Sequence, residues 1–383
     1  MIFTRDFNAR WKNMRIGIET QAEFLSNSIY PIYDDVCKKL DGFLPPSHLY
    51  FVGCGDSYFA GLAARYAVEK WTQRPTEALE ALEFSRYAIE TAPQDSLVVA
   101  VSNSGEVSRT VECLYFAREK GLRTIGVTNN PHSRLAQAAD INITYQAPKL
   151  PPPPAVGWGP GTVSYIASLI VLYIIGLRIG ELTAVLKNDE IKNTLDDLES
   201  MSSNTLETIK LCEPAAIKLG KLISLKNEIV FIGGGPNYGT AQFAKEKWIE
   251  ASRSNAIGQG LEEWAHENFF ACRNGTYTVV FAPPGASNDR AREQLAAISE
   301  VGGYPISVCD NNDSSTSSLG KTTFPIQGSS NELLSPILYC IPASLLAYHF
   351  CINNPEVLEN FRDDELRYNI IPRLIRKSNI PNH

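Results

Sequence analysis

Two α/β subdomains in tandem, each built on a doubly wound parallel sheet, are predicted for this chain of 383 residues. Three observations carry the prediction. Apolar runs short enough for buried strands alternate with helical patterns, the arrangement of βαβ units. One strand in each half breaks into a glycine-rich loop, Gly53-Cys54-Gly55-Asp56-Ser57-Tyr58 early and Gly233-Gly234-Gly235-Pro236-Asn237-Tyr238 late. A second strand and loop follow each of these at nearly the same separation, ending at Ser102 in the first half and at Pro283 in the second, which points to an internal duplication.

In chain order, residues 1–46 read as helical. Ile16, Ile18, Phe24, Leu25, Ile29 and Val36 form a loose apolar face, and Pro45-Pro46 ends it. The first subdomain, 47–181, has strands at 48–52, 97–101 and 124–128, with a helix from about Phe59 to Lys70. It closes on an almost wholly apolar segment, Val163 to Leu177, which falls short of the roughly 18 to 20 residues of a membrane span and reads as a buried core helix. Residues 182–225 are charged and helical in pattern, suiting a connecting hairpin. The second subdomain, 226–350, has strands at 228–232, 277–282 and 304–308 and a helix running to about Ala251, and residues 351–383 form a tail. The expected architecture is two three-layer αβα units of the flavodoxin-like kind.

Composition narrows the function classes. Hydrophobic residues make up 44% of the chain and charged residues 20%, as in a globular protein, and the net charge of −7 with no Lys/Arg cluster disfavours nucleic acid as a partner. Met1 to Arg15 lacks the continuous apolar core of a signal peptide, so a cytoplasmic protein without membrane attachment is expected. The eight cysteines are scattered, with no C-x-x-C pair and no metal-ligand spacing. Free thiols are expected, and neither a metal nor a cofactor is called for.

The most informative stretch is Ser102-Asn103-Ser104-Gly105-Glu106, between the strand 97–101 and a helix begun by Thr110, Cys113, Leu114 and Phe116. A helix N-terminus gathers unpaired N–H groups and the positive end of the helix dipole, and these side chains add donors, so a phosphate fits there. Ser and Asn also cap helices, and the stretch alone leaves both readings open. The glycine loops fall short of a full G-x-G-x-x-G, and no acidic residue stands at the end of a second strand to hold a ribose, so a dinucleotide is not expected. In the second half, Pro283-Pro284-Gly285-Ala286-Ser287 replaces the Ser-Asn-Ser cluster, which leaves the phosphate to the first half.

Two other stretches are rich in chemistry. Lys247 to Glu267 contains Glu250 and His266, the latter beside Glu262, Glu263 and Trp264, where carboxylates would raise its pKa and the aromatic ring would exclude water. A solvated charged helix start explains the same residues. The tail carries Pro372-Arg373-Leu374-Ile375-Arg376-Lys377-Ser378, where a lysine is usually only solubilising.

Together these residues resemble the tandem SIS (sugar isomerase) domain family, and within it the isomerase half of glucosamine-6-phosphate synthase, over about residues 45–383. The loop containing Gly55 and Ser57 is similar to the family's first glycine loop, whose serine touches the sugar phosphate. Ser102-Asn103-Ser104-Gly105-Glu106 resembles its S-x-S-G-E phosphate loop, and Lys247-Trp248-Ile249-Glu250 its K-x-x-E helix. His266 stands sixteen residues beyond Glu250, and Lys377 in the family's P-R-x-x-x-K-S tail. Val107 departs from the family's usual threonine, with Ser108 or Thr110 as candidate substitutes, and the segment Ala155 to Thr162 departs from its sugar-touching V-A-S-T-K stretch.

The resemblance implies a phosphosugar substrate held by Gly55, Ser57, Ser102, Asn103, Ser104 and Lys247. It also implies ring opening by His266, proton transfer between C1 and C2 by Glu250, and a Schiff base from Lys377. In the synthase the histidine comes from a neighbouring subunit, which implies a homodimer. No glutaminase domain is expected here, so the expected activity is aminosugar-phosphate isomerisation and deamination, with any separate ammonia donor unknown. The alternatives are a fructosamine-6-phosphate deglycase and a non-catalytic sugar-phosphate sensor.

Overall fold

A computed structural model describes residues 7–148, 159–328 and 331–381. After helix α1 (Phe7–Lys39), the first half runs β1 (Leu49–Gly53), α2 (Asp56–Thr72), β2 (Thr76–Glu80), α3 (Ala81–Arg86), β3 (Leu97–Val101), α4 (Ser108–Glu119), β4 (Arg123–Thr128), α5 (Arg134–Ala138) and β5 (Ile141–Thr144). Helices α6 (Val163–Leu182) and α7 (Asn188–Leu222) follow. The second half runs β6 (Glu228–Gly233), α8 (Pro236–Ser252), β7 (Ile257–Gly260), α9 (Leu261–His266), β8 (Thr276–Ala282), α10 (Asn288–Glu300), β9 (Tyr304–Asp310), α11 (Ser314–Ser317) and β10 (Thr322–Ile326), then α12 (Pro336–Asn353) and α13 (Asp364–Ile370).

The described residues within 24–148, 164–200 and 366–383 form one unit, and those within 1–23, 149–163 and 201–365 form the other. In the first unit the strands, all parallel, lie in the order β2-β1-β3-β4-β5, with Leu49 paired to Leu97 and Gly53 to Glu80. In the second the order is β10-β9-β8-β6-β7, the same 2-1-3-4-5 sequence read from the opposite edge. The duplicated doubly wound fold is therefore present in both halves.

Burial explains which residues form these strands. β1 and β3, Leu-Tyr-Phe-Val-Gly and Leu-Val-Val-Ala-Val, are buried at every position, as parallel strands covered on both faces must be. On one face of the first sheet Tyr50, Val52, Phe84, Val98 and Leu114 form the core, while in the second unit Val230, Ile232, Trp264, Val280 and Leu295 do so. Helix α6 lies so close to α2 that a Cβ at Gly176 would fall 2.6 Å from a methyl of Val68. Helix α12 packs on α8 through the stacked rings of Trp248 and Phe350, 4.3 Å apart.

Three sequence expectations change. Each sheet has five strands rather than three. The connecting hairpin expected at 182–225 is one 35-residue helix, α7, carrying Pro214 inside it. The chain turns before it instead, where Ala184 takes a left-handed conformation at φ 55°. The apolar segment read as ending at Leu177 continues to Leu182. It and α12 are long and apolar enough to cross a membrane, but 89% and 83% of their apolar windows are buried inside the protein, as in core helices.

Candidate functional site

In a sheet ordered 2-1-3-4-5, the connections leaving β1 and β3 depart to opposite faces, and a crevice opens beyond the carboxyl ends of those strands. The loops Gly53–Ser57 and Ser102–Glu106 leave these two strands of the first unit. Helix α2 has Gly55 as its N-cap, at φ 56°, and α4 has Val107; neither residue has a side-chain oxygen with which to cap a helix. On the same sheet α3 and α5 are capped conventionally, by Glu80 accepting from the Leu82 N–H at 3.0 Å and by Ser133 accepting from Ala136 at 3.3 Å. The two helices at the switch point thus lack the side-chain cap that α3 and α5 have, at the end where a helix dipole favours an anion.

The loop after β3 is held in shape by its own residues. Buried Ser102 donates its N–H to the Val127 carbonyl at 3.0 Å, and its Oγ accepts from the Gly105 N–H at 3.2 Å. Ser104 Oγ accepts from the Glu106 N–H at 3.3 Å. The exposed Asn103 is anchored by Tyr145, whose hydroxyl donates to Oδ1 at 3.0 Å. Gly105 is required by geometry: its φ is 67°, and a Cβ there would lie 2.0 Å from Ser133 Oγ. Ser57 stands half-buried in the first turn of α2, against Gly53, where a Cβ would lie 2.9 Å from that of Ser57.

The second unit has the same switch point but a different occupant. There the Glu332 carboxylate accepts from the Ala286 N–H at 2.9 Å and from the Ser287 hydroxyl at 3.3 Å. It fills the space in front of Gly285, where a Cβ would fall 2.2 Å from its Oε2. An internal carboxylate therefore sits in the second half where the corresponding first-half loop presents Ser102, Asn103 and Ser104. Nothing in the sequence pattern pointed to Glu332, which lies 45 residues beyond Ser287.

Also in the second unit, Glu250 and Lys247 face each other one turn apart on α8 and form an ion pair. Lys247 is fully buried, its ammonium 5.1 Å from the ring centre of Phe243, so this residue, which the sequence assigned to substrate binding, holds Glu250. The Arg10 guanidinium donates to the Glu250 carbonyl at 3.0 Å. Glu246, one turn earlier and missed from sequence, is held above the ordinary carboxylate range by burial first and by the charge of Glu250 second.

His266 ends α9 with its side chain 69% exposed, its Nε2 3.2 Å from Glu262, which also pairs with Arg290 at 2.8 Å. Trp264 does not exclude water from it: that ring is fully buried in the core. Lys377 is exposed in the tail of the first unit. Neither proposed substitute for the missing threonine turns toward the loop. Ser108 donates its hydroxyl to the Arg376 carbonyl at 2.8 Å, and Thr110 donates to Cys54 Sγ at 3.8 Å.

An acidic residue does end the second strand, Glu80 on β2, but its carboxylate is engaged in capping α3 and in accepting from Cys54 Sγ at 3.4 Å. Residues 155–158 of the departing segment 155–162 lie outside the described residues.

Two doubly wound α/β units in tandem, the first with no side-chain cap on its two switch-point helices and the second with Glu332 against the corresponding loop, define a duplicated α/β class of protein. The SIS domain pattern matches residues 43–177 and 222–353, and the chain belongs to that family. It is similar to the glutamine–fructose-6-phosphate aminotransferase (isomerizing) of Clostridium tetani, at 26% identity over 79% of this chain and 48% of that protein. The enzyme of the same name from Pyrococcus horikoshii is 26% identical over 88% of this chain and 54% of its own length. The chain thus spans about half the length of these curated relatives. Among solved structures, the C-terminal domain of glucosamine-fructose-6-phosphate aminotransferase from Francisella tularensis matches with a TM-score of 0.78 at 23% identity, over 89% of this chain and 96% of that one. Glucosamine-6-phosphate deaminase from Thermotoga maritima matches at 0.65 with 19% identity, over 88% and 94%. At these identities the structures speak for the fold.

Proposed function

We propose that this chain is a phosphosugar isomerase that deaminates an aminosugar phosphate such as glucosamine 6-phosphate, giving the ketose phosphate and ammonia, or runs the reverse. The observation that carries the reading is the pair of uncapped helices α2 and α4 around Ser57, Ser102, Asn103 and Ser104, set against a second cradle already filled by Glu332. The phosphate is gripped remotely from the reacting carbons, so its binding energy orients C1 and C2. His266 assists ring opening by proton transfer to the ring oxygen. Glu250 carries the proton between C2 and C1, and Lys247 fixes the orientation of its carboxylate. The Lys377 amine exchanges with the imine nitrogen, releasing ammonia.

A cytoplasmic homodimer with His266 contributed across the interface belongs to the same proposal. Its support is the exposure of His266 together with that of Phe270, a residue 82% exposed. The test is release of ammonia and fructose 6-phosphate from glucosamine 6-phosphate. Turnover supports the reading. Saturable binding of the sugar phosphate without turnover rejects it in favour of a sensor, and release of an amino acid from a fructosamine 6-phosphate instead identifies a deglycase.

A further inference from the structure

The tail that carries Lys377 is fastened to the helix that begins at the phosphate loop. On the near side of Lys377, the Arg376 carbonyl accepts the Ser108 hydroxyl at 2.8 Å. On the far side, the Arg109 guanidinium donates to Ser378 Oγ at 3.4 Å and to the Asn379 carbonyl. Ile380, only 7% exposed, packs into the first unit's core with Tyr50, Phe84 and Leu114. Lys377 is exposed between these fixed points.

Arg109 is itself braced. Its other nitrogen pairs with Glu112, a fully buried carboxylate that also accepts from Arg86 at 2.6 and 3.0 Å and from the Ser85 hydroxyl at 2.9 Å. Two arginines and a serine spent on one buried carboxylate fix the direction of the Arg109 fork, which a flexible lysine could not reproduce. Both latch residues, Ser108 and Arg109, stand in the first turn of α4, directly after Val107. The hydroxyl expected to replace the missing threonine is thus committed to the tail.

We propose that Arg109, braced by Glu112 and assisted by Ser108, is a positioning residue that presents Lys377 to the phosphosugar. The proposal rests on the Schiff-base role assigned to Lys377 above. In that step the lysine nitrogen adds to C2 of the ketose phosphate, the carbonyl oxygen leaves as one water, and a C=N bond forms with no change of oxidation state.

The full chain is incubated with fructose 6-phosphate and borohydride, and the reduced adduct on Lys377 is followed by mass spectrometry beside steady-state kinetics and trypsin cleavage after Arg376 and Lys377. Arg109→Ala is expected to slow trapping and kcat at least about fivefold while KM stays within about twofold, because orientation and not affinity is lost. Tail cleavage should accelerate about tenfold as local opening becomes easier. Arg109→Lys should recover only part of the loss, and Ser108→Ala, a milder change to the same latch, should lie in between. Trapping and tail cleavage at wild-type rates in Arg109→Ala overturn the proposal, as does a raised KM with intact kcat. If the wild type is never trapped and Lys377→Ala keeps full activity, the role of Lys377 falls and takes this proposal with it. That outcome is distinguishable because the wild type itself fails.

Discussion

Replacing Glu250 with Gln should do two separable things, because this carboxylate is both the proposed proton carrier and the ion-pair partner of a fully buried ammonium, Lys247. Breaking a buried ion pair from one side costs about 3–5 kcal/mol, and since Glu250 is itself 35% exposed the figure is discounted here to about 2 kcal/mol. For a unit of this size that lowers Tm by about 4–8 °C. Loss of the proton carrier should separately lower kcat by about 10² to 10⁴. Converting the lysine as well, in Lys247→Met/Glu250→Gln, removes the buried ammonium too. The double variant should regain most of the lost Tm and remain as inactive as Glu250→Gln. Thermal denaturation of the wild type, both singles and the double gives the coupling directly. Additive losses in the double variant, or activity in Glu250→Gln near that of wild type, would refute the reasoning.

Three other perturbations address different parts of the molecule. Gly105→Ala forces a side chain into a left-handed position, at about 1–2 kcal/mol, and drives its Cβ onto Ser133, so sugar-phosphate affinity should fall about tenfold or more in a titration. An unchanged Kd would show that the loop does not bind. Glu332→Ala frees the Ala286 N–H, and inorganic phosphate should then bind at a second site per chain, detectable by stoichiometry; no added site would mean that the second cradle has lost more than its vacancy. The third concerns acid stability. Burial lowers the pKa of His349 below its ordinary 6.5, an effect only partly countered by Glu213 at 2.5 Å. Burial pushes Glu213 upward, but hydrogen bonds from Arg15 and His349 outweigh it and leave this carboxyl below its ordinary 4.5. The unfolded chain therefore takes up the His349 proton first as pH falls through 6.5, and the Glu213 contribution is lost further down, through its lowered native value. Denaturant melts should show declining stability from pH 7 to pH 5, and His349→Gln should flatten that decline; an equal slope in the variant contradicts the assignment.

How much was legible in the sequence follows from burial. The strands read correctly, such as β1, β3, β6 and β8, are central and dry, and they announce themselves as continuous apolar runs. The four that were missed, β2, β5, β7 and β10, are the edge strands of the two sheets. Thr-Glu-Ala-Leu-Glu and Ile-Gly-Gln-Gly are half-buried, so their composition resembles that of loops. At the candidate site the local signals, Ser102 to Glu106 and the Lys247–Glu250 spacing, were visible because each lies within one loop or one helical turn. Glu332 in the second cradle and the attachment of the tail to Ser108 and Arg109 were not, because each joins residues 45 or more apart through the fold. His266 shows the reverse limit: its neighbours in sequence suggested enclosure, but helical geometry turns Trp264 into the core and leaves the histidine outside.

Central to the proposed function is a single phosphate site per chain, formed in the first subdomain by the loop after β3 together with Ser57. It is tested most directly by titrating fructose 6-phosphate into the wild type and Ser104→Ala, with unphosphorylated fructose as the control. One site per chain, an affinity loss of about tenfold or more in Ser104→Ala, and negligible binding of fructose are predicted, since a hydrogen bond to a charged group contributes about 1.5–3 kcal/mol. Two wild-type sites per chain, or equal affinities for the two proteins, would contradict the account.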